Sequence, residues 1–241
     1  MEKGIFITGT DTGVGKTTLA GAIARTLRSA GVDVGVMKPV ETGCRLRNGK
    51  LIRADATYLK QAAQSNDSLD LMNPYPYRAP LAPRAASQLE GKMIDFDTLV
   101  DAYHLLCRRH SFVIVEGAGG LLVPLTERGD ILDLILLFKL PVLVVARSGL
   151  GTLNHTLLTL RCGSAAGIRF TGVVFNQTTP WISLADKTNP GSLTERTEVP
   201  FLGTFPFLGE KIRGERRIRR SEILLRENDL LRRTILDGLP R

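Results

Sequence analysis

The sequence predicts an α/β fold in which a mostly parallel sheet is covered by helices on both faces. Apolar β-rich segments alternate with helical patterns along the chain, and such alternation produces parallel strands joined by right-handed crossovers. The strand segments are continuously apolar, as expected of strands that are buried on both sides. With 241 residues and 43% hydrophobic content, the chain can bury one full core, so we expect a single domain over residues 1–241.

The alternating segments set the predicted elements. Strands are predicted at Ile5–Ile7, Val32–Met37, Phe112–Val115, Val142–Ala146, Thr171–Phe175 and Phe201–Thr204. Helices are predicted at Lys16–Ser29, Ala54–Ala63, Phe96–Arg109, Ile131–Phe138 and Leu153–Ala166. A last helix is predicted at Glu222–Leu236, with Ser221 as its N-cap and Gly238 just beyond its end. Residues 39–95 predict an ordered, proline-rich insertion over the site, and the polar residues 178–198 predict a surface excursion.

Composition indicates a soluble cytoplasmic protein. No apolar run approaches the roughly 18 residues that a membrane span needs, and the N-terminus leads into a strand without a basic and apolar leader. The cysteines Cys44, Cys107 and Cys162 are odd in number and far apart. This spacing predicts neither a disulfide framework nor a zinc site.

The net charge of +8 is concentrated towards the C-terminus. Residues 210–241 carry ten Lys/Arg and six Asp/Glu, and so supply half of it. Nucleic-acid binding is one interpretation of such a basic segment. Because it lacks interleaved aromatic residues and a reading motif, a solvated surface or an aid to binding anionic ligands is favoured. We expect this tail to be peripheral, so that truncation after Glu210 spares the chemistry unless the tail packs on the nucleotide site.

The segment after the first predicted strand is a candidate phosphate-binding loop. It reads Gly9-Thr-Asp-Thr-Gly-Val-Gly-Lys-Thr17 and stands between a strand and a helix, which is the context that such a loop needs. Its amides and the positive end of the helix can surround phosphate oxygens. Lys16 adds a charge for the terminal phosphates, and the Thr17 hydroxyl can ligate Mg²⁺. The first glycine, Gly9, is one residue further back than in the usual pattern. The position of the loop at the end of the first strand nevertheless predicts nucleotide binding in a P-loop NTPase-like fold, with a tight turn as the alternative.

Polar or glycine-rich groups follow each of the first five predicted strands. After the loop come Lys38-Pro-Val-Glu-Thr-Gly43, Glu116-Gly-Ala-Gly-Gly120, Arg147-Ser-Gly-Leu-Gly151 and Asn176-Gln177. In an open parallel sheet, ligands bind beyond the carboxyl ends of the strands. The five groups therefore predict one active site at that edge.

Individual residues at these strand ends have more than one interpretation. Lys38 can neutralise charge during phosphoryl transfer or be a solvated strand end. Glu116 can hold Mg²⁺ or its water shell, or be a surface acid. Asp55 can be a helix-start acid favoured by the dipole or a metal ligand, and Asn176 can bind a base edge or stabilise a turn. The three histidines form no catalytic pattern with Ser, Asp or Cys, which indicates chemistry driven by phosphate activation.

Taken together, the motifs resemble the dethiobiotin synthetase family. They are Gly9–Thr17, Lys38–Gly43, Glu116–Gly120, Gly149-Leu-Gly-Thr-Leu-Asn-His155 and the proline-rich Asn73–Pro83. The resemblance runs from about residue 4 to residue 208, and it includes the lengthened phosphate loop. It implies a homodimeric enzyme of biotin synthesis that takes 7,8-diaminopelargonic acid, CO₂ and ATP. An amine captures CO₂ as a carbamate, ATP phosphorylates the carbamate, and the second amine closes the ring.

The resemblance also implies roles for particular residues. Lys16 and Lys38 would stabilise the transferring phosphoryl group, and Thr17, Asp55 and Glu116 would bind Mg²⁺. Thr12, Lys38 and Thr42 would surround the diamine and carbamate, while Gly149, Leu150 and Asn154 would reach the substrate carboxylate from the partner subunit. Contacts to ATP would come from Asp11, Thr12, Gly13, Val14, Gly15, Lys16, Thr17, Thr18, Glu116, Gly119 and Asn176, with Asn176 at the adenine.

Three other classes of protein compete with this interpretation. A partitioning or positioning ATPase would carry an extra lysine in its loop, K-G-G-x-G-K-T, where this chain has Asp11. A cobyrinic-acid-type amidotransferase would need a glutaminase domain, and only about 30 residues follow Glu210. A nucleic-acid-binding module would leave the groups at the strand ends unexplained. We therefore expect neither a nucleic-acid nor a membrane partner.

Overall fold

The computed structural model describes residues 4–209 and 212–237. Its elements follow the chain in this order: β1 (Gly4–Gly9), α1 (Lys16–Ser29), β2 (Val34–Met37), β3 (Val40–Glu41), β4 (Arg45–Arg47), β5 (Lys50–Ile52), α2 (Ala54–Ala63), α3 (Leu69–Met72), β6 (Tyr75–Pro76), α4 (Pro83–Glu90), α5 (Phe96–Arg109), β7 (Phe112–Glu116), α6 (Ile131–Phe138), β8 (Val142–Arg147), α7 (Thr152–Ala165), β9 (Phe170–Asn176), α8 (Leu184–Thr194), β10 (Phe201–Phe205), α9 (Gly214–Glu227) and α10 (Asp229–Asp237). None of the helices in these ranges combines the length and the apolar character that crossing a bilayer requires.

The main sheet of the described residues has six parallel strands in the order β10-β9-β8-β1-β7-β2. This arrangement confirms the predicted α/β fold and its parallel sheet. The first strand of the chain lies in the middle, where Ile7 pairs with Glu116 of β7 and with Leu143 of β8. The loop that follows β1 therefore emerges at the centre of the carboxyl edge of the sheet.

Two apolar layers hold the helices on opposite faces of this sheet. Ile5 and Ile7 point to the face where α1, α2, α9 and α10 bury residues such as Leu19, Leu59 and Leu225. Phe6, between them in sequence, points to the face covered by α5, α6, α7 and α8. Because side chains alternate along a strand, the continuously apolar runs supply both layers at once.

The insertion over the site is ordered, as predicted. β3 pairs with β6 in parallel, while β4 and β5 form an antiparallel hairpin. The hairpin turns at Asn48 and Gly49, with φ angles of 51° and 71°, a pair of left-handed residues that a type I′ turn requires.

Two predicted segments differ from the structure. A single helix at Glu222–Leu236 is wrong, because α9 ends before Asn228 and α10 begins after it. The Asn228 side chain accepts a hydrogen bond from the Leu231 amide at 3.0 Å and donates one to the Leu202 carbonyl at 3.0 Å, which fixes a new helix start. Ser221 is no N-cap, since it lies inside α9 and its hydroxyl donates to the Ile218 carbonyl. The predicted stop at Gly238 lies outside the described residues.

The polar segment 178–198 is more than a surface excursion. It contains α8, which starts at a capping box formed by Ser183 and Asp186. Leu193 of this helix is fully buried in the core. The Asn189 amide donates to the carbonyls of Ser148 and Gly149 at 2.8 and 3.1 Å. The helix thereby holds the loop that follows β8.

Candidate active site

The phosphate loop has a backbone that its glycines make possible. Gly15, the residue before α1, has a φ of 104°, a conformation that strains other residues. A Cβ on Gly15 would lie 2.1 Å from the Asn176 side-chain nitrogen, and that nitrogen donates to the Val14 carbonyl at 2.8 Å. A Cβ on Gly9 would lie 2.8 Å from Val14 and 3.0 Å from the Lys16 ammonium. The displaced first glycine is thus required by the packing of the longer loop.

Lys16 is a buried cation at the start of α1. Only 6% of the residue is exposed, and its ammonium donates to the Asp11 carbonyl at 2.9 Å across the loop. Burial, reinforced by the neighbouring Lys38 charge, lowers the pKa of Lys16 from 10.5 to about 8. The side chain is therefore held over the loop in an environment where an anionic group would stabilise its charge.

Glu116 joins the ends of β7, β2 and α1 through one buried carboxylate. Its Oε1 accepts hydrogen bonds from the Lys38 ammonium at 2.6 Å and from the Thr17 hydroxyl at 2.7 Å. The same ammonium lies 3.4 Å from a carboxylate oxygen of Asp55. Burial alone would lower the pKa of Lys38, but Glu116 and Asp55 outweigh it and hold that pKa above its ordinary value. Four residues predicted for the site are thus brought together.

Glu41 positions Asp55, although no separate role was predicted for Glu41. Its two carboxylate oxygens accept from the amides of Asp55 and Ala56 at 3.0 Å each. These amides belong to the open N-terminal turn of α2, where a carboxylate is favoured. A second unpredicted contact comes from Asn73, whose amide donates to the Lys38 carbonyl at 2.6 Å. Both contacts join residues distant in sequence, so no local pattern could indicate them.

A cavity of about 930 Å³ opens beside this cluster. Its lining includes the predicted residues Thr12, Gly13, Gly15, Lys16, Thr17, Thr18, Lys38, Thr42, Asp55, Glu116 and Gly119. The insertion closes one side of it with Pro80, Leu81, Ala82 and Pro83, which places the proline-rich segment where the sequence predicted. The predicted residues Asp11 and Val14 do not line the cavity. Their backbone carbonyls instead accept hydrogen bonds from the side chains of Lys16 and Asn176.

A second cavity of about 210 Å³ continues from the other side of the phosphate loop. Gly13, Gly15 and Thr18 line both cavities, while Asn176 and Phe207 line only the second. Asn176 uses one amide hydrogen on the Val14 carbonyl, and it has a second hydrogen and an acceptor oxygen besides. The two interpretations of Asn176, turn support and base contact, are therefore compatible.

The donor set of this cluster fits Mg²⁺. Within the described ranges, no group of three or more His, Cys, Asp or Glu residues is arranged to hold a metal. Mg²⁺ in nucleotide sites, however, uses one or two carboxylates together with phosphate oxygens and water. Thr17, Asp55 and Glu116 supply a hydroxyl and two carboxylates. The Glu116 Oε2 atom is buried and has no hydrogen-bond partner among the described residues, as expected of an oxygen that serves a cation.

The loop predicted to meet a partner subunit lies apart from the cavity. Gly149, Leu150 and Asn154 are absent from the lining that the described residues form. Leu150 is 96% exposed and Asn154 is exposed. Arg147, the last residue of β8, instead contacts the phosphate loop: its guanidinium lies 2.6 Å from a carboxylate oxygen of Asp11.

The C-terminal tail is not peripheral, in contrast to the prediction. Ile218 and Leu225 of α9 and Leu231 of α10 are fully buried in the core layer that contains α1. Arg217 of α9 lines both cavities. The prediction missed this packing because the arginines of the basic run surround a narrow stripe of buried residues, Ile218, Ser221 and Leu225, spaced three and four positions apart.

In sequence, the chain is similar to one family model and to individual proteins of known name. A family model described as an AAA domain matches residues 3–213. The ATP-dependent dethiobiotin synthetase BioD of Thermodesulfovibrio yellowstonii is 42% identical over 218 residues, covering 87% of this chain and 91% of that protein. The protein of the same name from Bacillus licheniformis is 40% identical over 206 residues, covering 86% of each chain.

Similarity to solved structures is confined to the fold. The septum site-determining protein MinD complexed with Mg-ADP, from Pyrococcus horikoshii OT3, gives a TM-score of 0.55 at 16% identity, covering 100% of this chain and 87% of that one. The MinC:MinD cell division protein complex of Aquifex aeolicus gives a TM-score of 0.56 at 16% identity, covering 99% and 98%.

Proposed function

Because this chain belongs to the family of ATP-dependent dethiobiotin synthetases, we propose that its two cavities bind ATP and 7,8-diaminopelargonic acid around the phosphate loop. The protein is a ligase of biotin synthesis that closes a ring with the energy of ATP. One substrate amine adds to CO₂ and loses a proton, which gives a carbamate. A carbamate oxygen then attacks the γ-phosphorus, and ADP leaves.

The last step explains why no general base stands out in the site. The second amine attacks the carbonyl carbon of the phosphorylated carbamate and loses a proton, the C–O bond to phosphate breaks, and inorganic phosphate and dethiobiotin are released. Phosphorylation has already made a good leaving group, and the two amines of one substrate are neighbours, so proximity supplies much of the rate.

Lys16 and Lys38 are the residues assigned to phosphoryl transfer. Both are buried and both line the larger cavity, where a cation acts strongly on charge that builds up on transferring oxygens. Thr12 and Thr42 lie in the same lining and are assigned to the diamine and its carbamate. One observation carries this proposal: Lys16 at the start of α1, Lys38 after β2 and Glu116 at the end of β7 lie side by side at one cavity.

Thr17, Asp55 and Glu116 would hold Mg²⁺. When bound, the ion would neutralise charge on the terminal phosphates. The two carboxylates already share the Lys38 ammonium, so the protein keeps them close together. The nucleoside is assigned to the smaller cavity, with Asn176 at the adenine.

The proposal includes a homodimer of single-domain subunits that works in the cytoplasm. A partner is needed for Gly149, Leu150 and Asn154 to approach a substrate, since they lie outside the cavity of their own chain. The exposure of Leu150 supports this assignment. The cysteines of the described residues are free thiols, which suits a reducing compartment.

Phosphate release from ATP tests the proposed function. The reaction contains Mg²⁺ and bicarbonate and is run with and without 7,8-diaminopelargonic acid. We expect release only with the diamine, together with a product of the mass of dethiobiotin. Release that is indifferent to the diamine would support a switch ATPase of the partitioning or positioning class instead.

A further inference from the structure

Arg217 of α9 occupies the junction between the two cavities. Its guanidinium donates to the Thr18 hydroxyl at 3.0 Å and to the Ile212 carbonyl at 3.5 Å. Thr18 is the residue after Lys16 and Thr17 at the start of α1, and it too lines both cavities. A cation from the far end of the chain thus lies directly beside the phosphate loop.

The charge of Arg217 is not neutralised by a described carboxylate. The carboxylates of α9 that face α1 are occupied by other residues. Glu215 pairs with Arg25 at 3.0 Å, and Glu222 accepts a hydrogen bond from the Ser29 hydroxyl at 2.6 Å. Arg217 has only the two oxygen acceptors named above in the part of the chain that the structure describes. A guanidinium has five N–H donors, so most of them remain for a ligand.

The position of Arg217 is fixed by packing. Ile218, the next residue, is fully buried against the layer that contains α1. The contacts of Arg25 and Ser29 join the same two helices further along α1. Arg217 is therefore held at the cavity edge before a ligand arrives, and binding orders little of its side chain.

The order of groups along the loop identifies the phosphate that Arg217 faces. In a loop of this kind the lysine reaches the terminal phosphates, while the backbone amides of the loop cradle the phosphates nearer to the nucleoside. Lys16 lines only the larger cavity, whereas Arg217, Thr18, Gly13 and Gly15 line both. Arg217 consequently lies on the nucleoside side of Lys16.

We propose that Arg217 binds the nucleotide phosphate next to the nucleoside and acts as a third cation of the site, separate from Lys16 and Lys38. This assignment rests on the proposed function in requiring that the two cavities hold a nucleotide with its nucleoside in the smaller one. It gives the basic C-terminal helix a role in ATP affinity, whereas Lys16 and Lys38 serve the reacting end.

Direct titrations of ATP, ADP, AMP and adenosine into the full chain test this assignment. We expect Arg217→Gln to raise the Kd of each nucleotide by about 10- to 100-fold, because it removes a charged hydrogen-bond donor. The factor should be similar for the three nucleotides, since all keep the phosphate next to the nucleoside. Arg217→Lys should recover part of the loss, because lysine keeps the charge without the planar fork.

Arg216→Gln is the matched control. Arg216 is the exposed neighbour on the same helix, so its substitution removes the same charge from the same segment and should leave the three Kd values unchanged. Thermal unfolding of each variant checks that the fold is retained. In steady-state assays Arg217→Gln should raise the KM for ATP and change kcat by less than about threefold, since a uniform binding contact is lost.

Three results would overturn the inference. Kd values for Arg217→Gln equal to those of Arg216→Gln would show that Arg217 only ties α9 to α1. A loss restricted to ATP would place Arg217 at the terminal phosphate, and an equal loss for adenosine would place it at the nucleoside. Failure of the unmodified chain to bind any of the nucleotides would instead reject the proposed function.

Discussion

Lys16 sets a pH limit on nucleotide binding. The pKa of its buried ammonium is about 8 in the free protein, and phosphate oxygens beside it favour the charged form and raise that pKa. Above pH 8, binding must therefore take up a proton. We expect the affinity for ADP to fall as the pH rises above 8.

Calorimetric titrations in buffers of different ionisation enthalpy measure this proton uptake. The same titrations at about pH 6 are the control, because Lys16 is then already protonated and no uptake is expected. Proton uptake that is absent above pH 8 would contradict the role given to Lys16.

Glu116 should control the response to Mg²⁺. Glu116→Gln keeps an acceptor for Thr17 and Lys38 but removes the negative charge, so the Mg²⁺ concentration for half-maximal activity should rise roughly 10-fold or more. Glu127→Gln, a change at an exposed carboxylate, is the matched control. A Mg²⁺ response equal in the two variants would reject Glu116 as a metal-binding residue.

At the residue scale, the sequence predicted those site residues that directly follow a strand along the chain. Lys38, Glu116 and the phosphate loop follow apolar strands, and parallel strands bring such groups to one edge. Glu41 and Arg217 were not predicted to act in the site, because their partners, the α2 amides and Thr18, become neighbours only through tertiary packing.

At the scale of elements, α9 is part of the core and should contribute to stability. Ile218→Ala removes a fully buried side chain and should lower the free energy of unfolding by about 2–5 kcal/mol. Ile223, on the same helix, is 56% exposed, so Ile223→Ala should change that free energy by less than about 0.5 kcal/mol. Urea denaturation of both variants measures the difference. Equal effects would mean that α9 does not pack as described.

The same packing reverses the expectation for truncation after Glu210. Removing α9 and α10 exposes the apolar residues of α1 that they cover, so we now expect the truncated chain to lose its fold and not only a peripheral tail. Circular dichroism would detect this loss. A truncated chain that stays folded and retains ATP binding would contradict both this expectation and the assignment of Arg217.

Helices with a simple apolar period were predicted with their observed bounds. Lys16–Ser29, Ala54–Ala63, Phe96–Arg109 and Ile131–Phe138 have the same ends in sequence and structure. The break between α9 and α10 was missed because it depends on the contact of Asn228 with Leu202 of the neighbouring strand. Local patterns cannot report a contact over that distance along the chain.

At the scale of the whole molecule, the proposed homodimer predicts that two subunits with different defects can together form one intact active site. If the partner's loop completes each site, a dimer of one Lys16→Ala and one Asn154→Ala subunit has one site with both residues intact. Equal mixing and reassociation of the two inactive variants should then restore about one quarter of the unmodified activity.

Each variant alone, taken through the same mixing procedure, is the control for this experiment. Sedimentation shows whether the mixed subunits form dimers. Mixed dimers without recovered activity would mean that Lys16 and Asn154 serve the same subunit or different functions.

The central position of β1 also has a consequence for synthesis of the chain. β1 is made first, but its neighbours β7 and β8 begin only at Phe112 and Val142. On the ribosome, the strand that carries the phosphate loop therefore waits unpaired while more than a hundred residues emerge. Such long-range pairing is slow and leaves apolar segments uncovered. We expect newly made chains to depend on chaperones until β8 is complete.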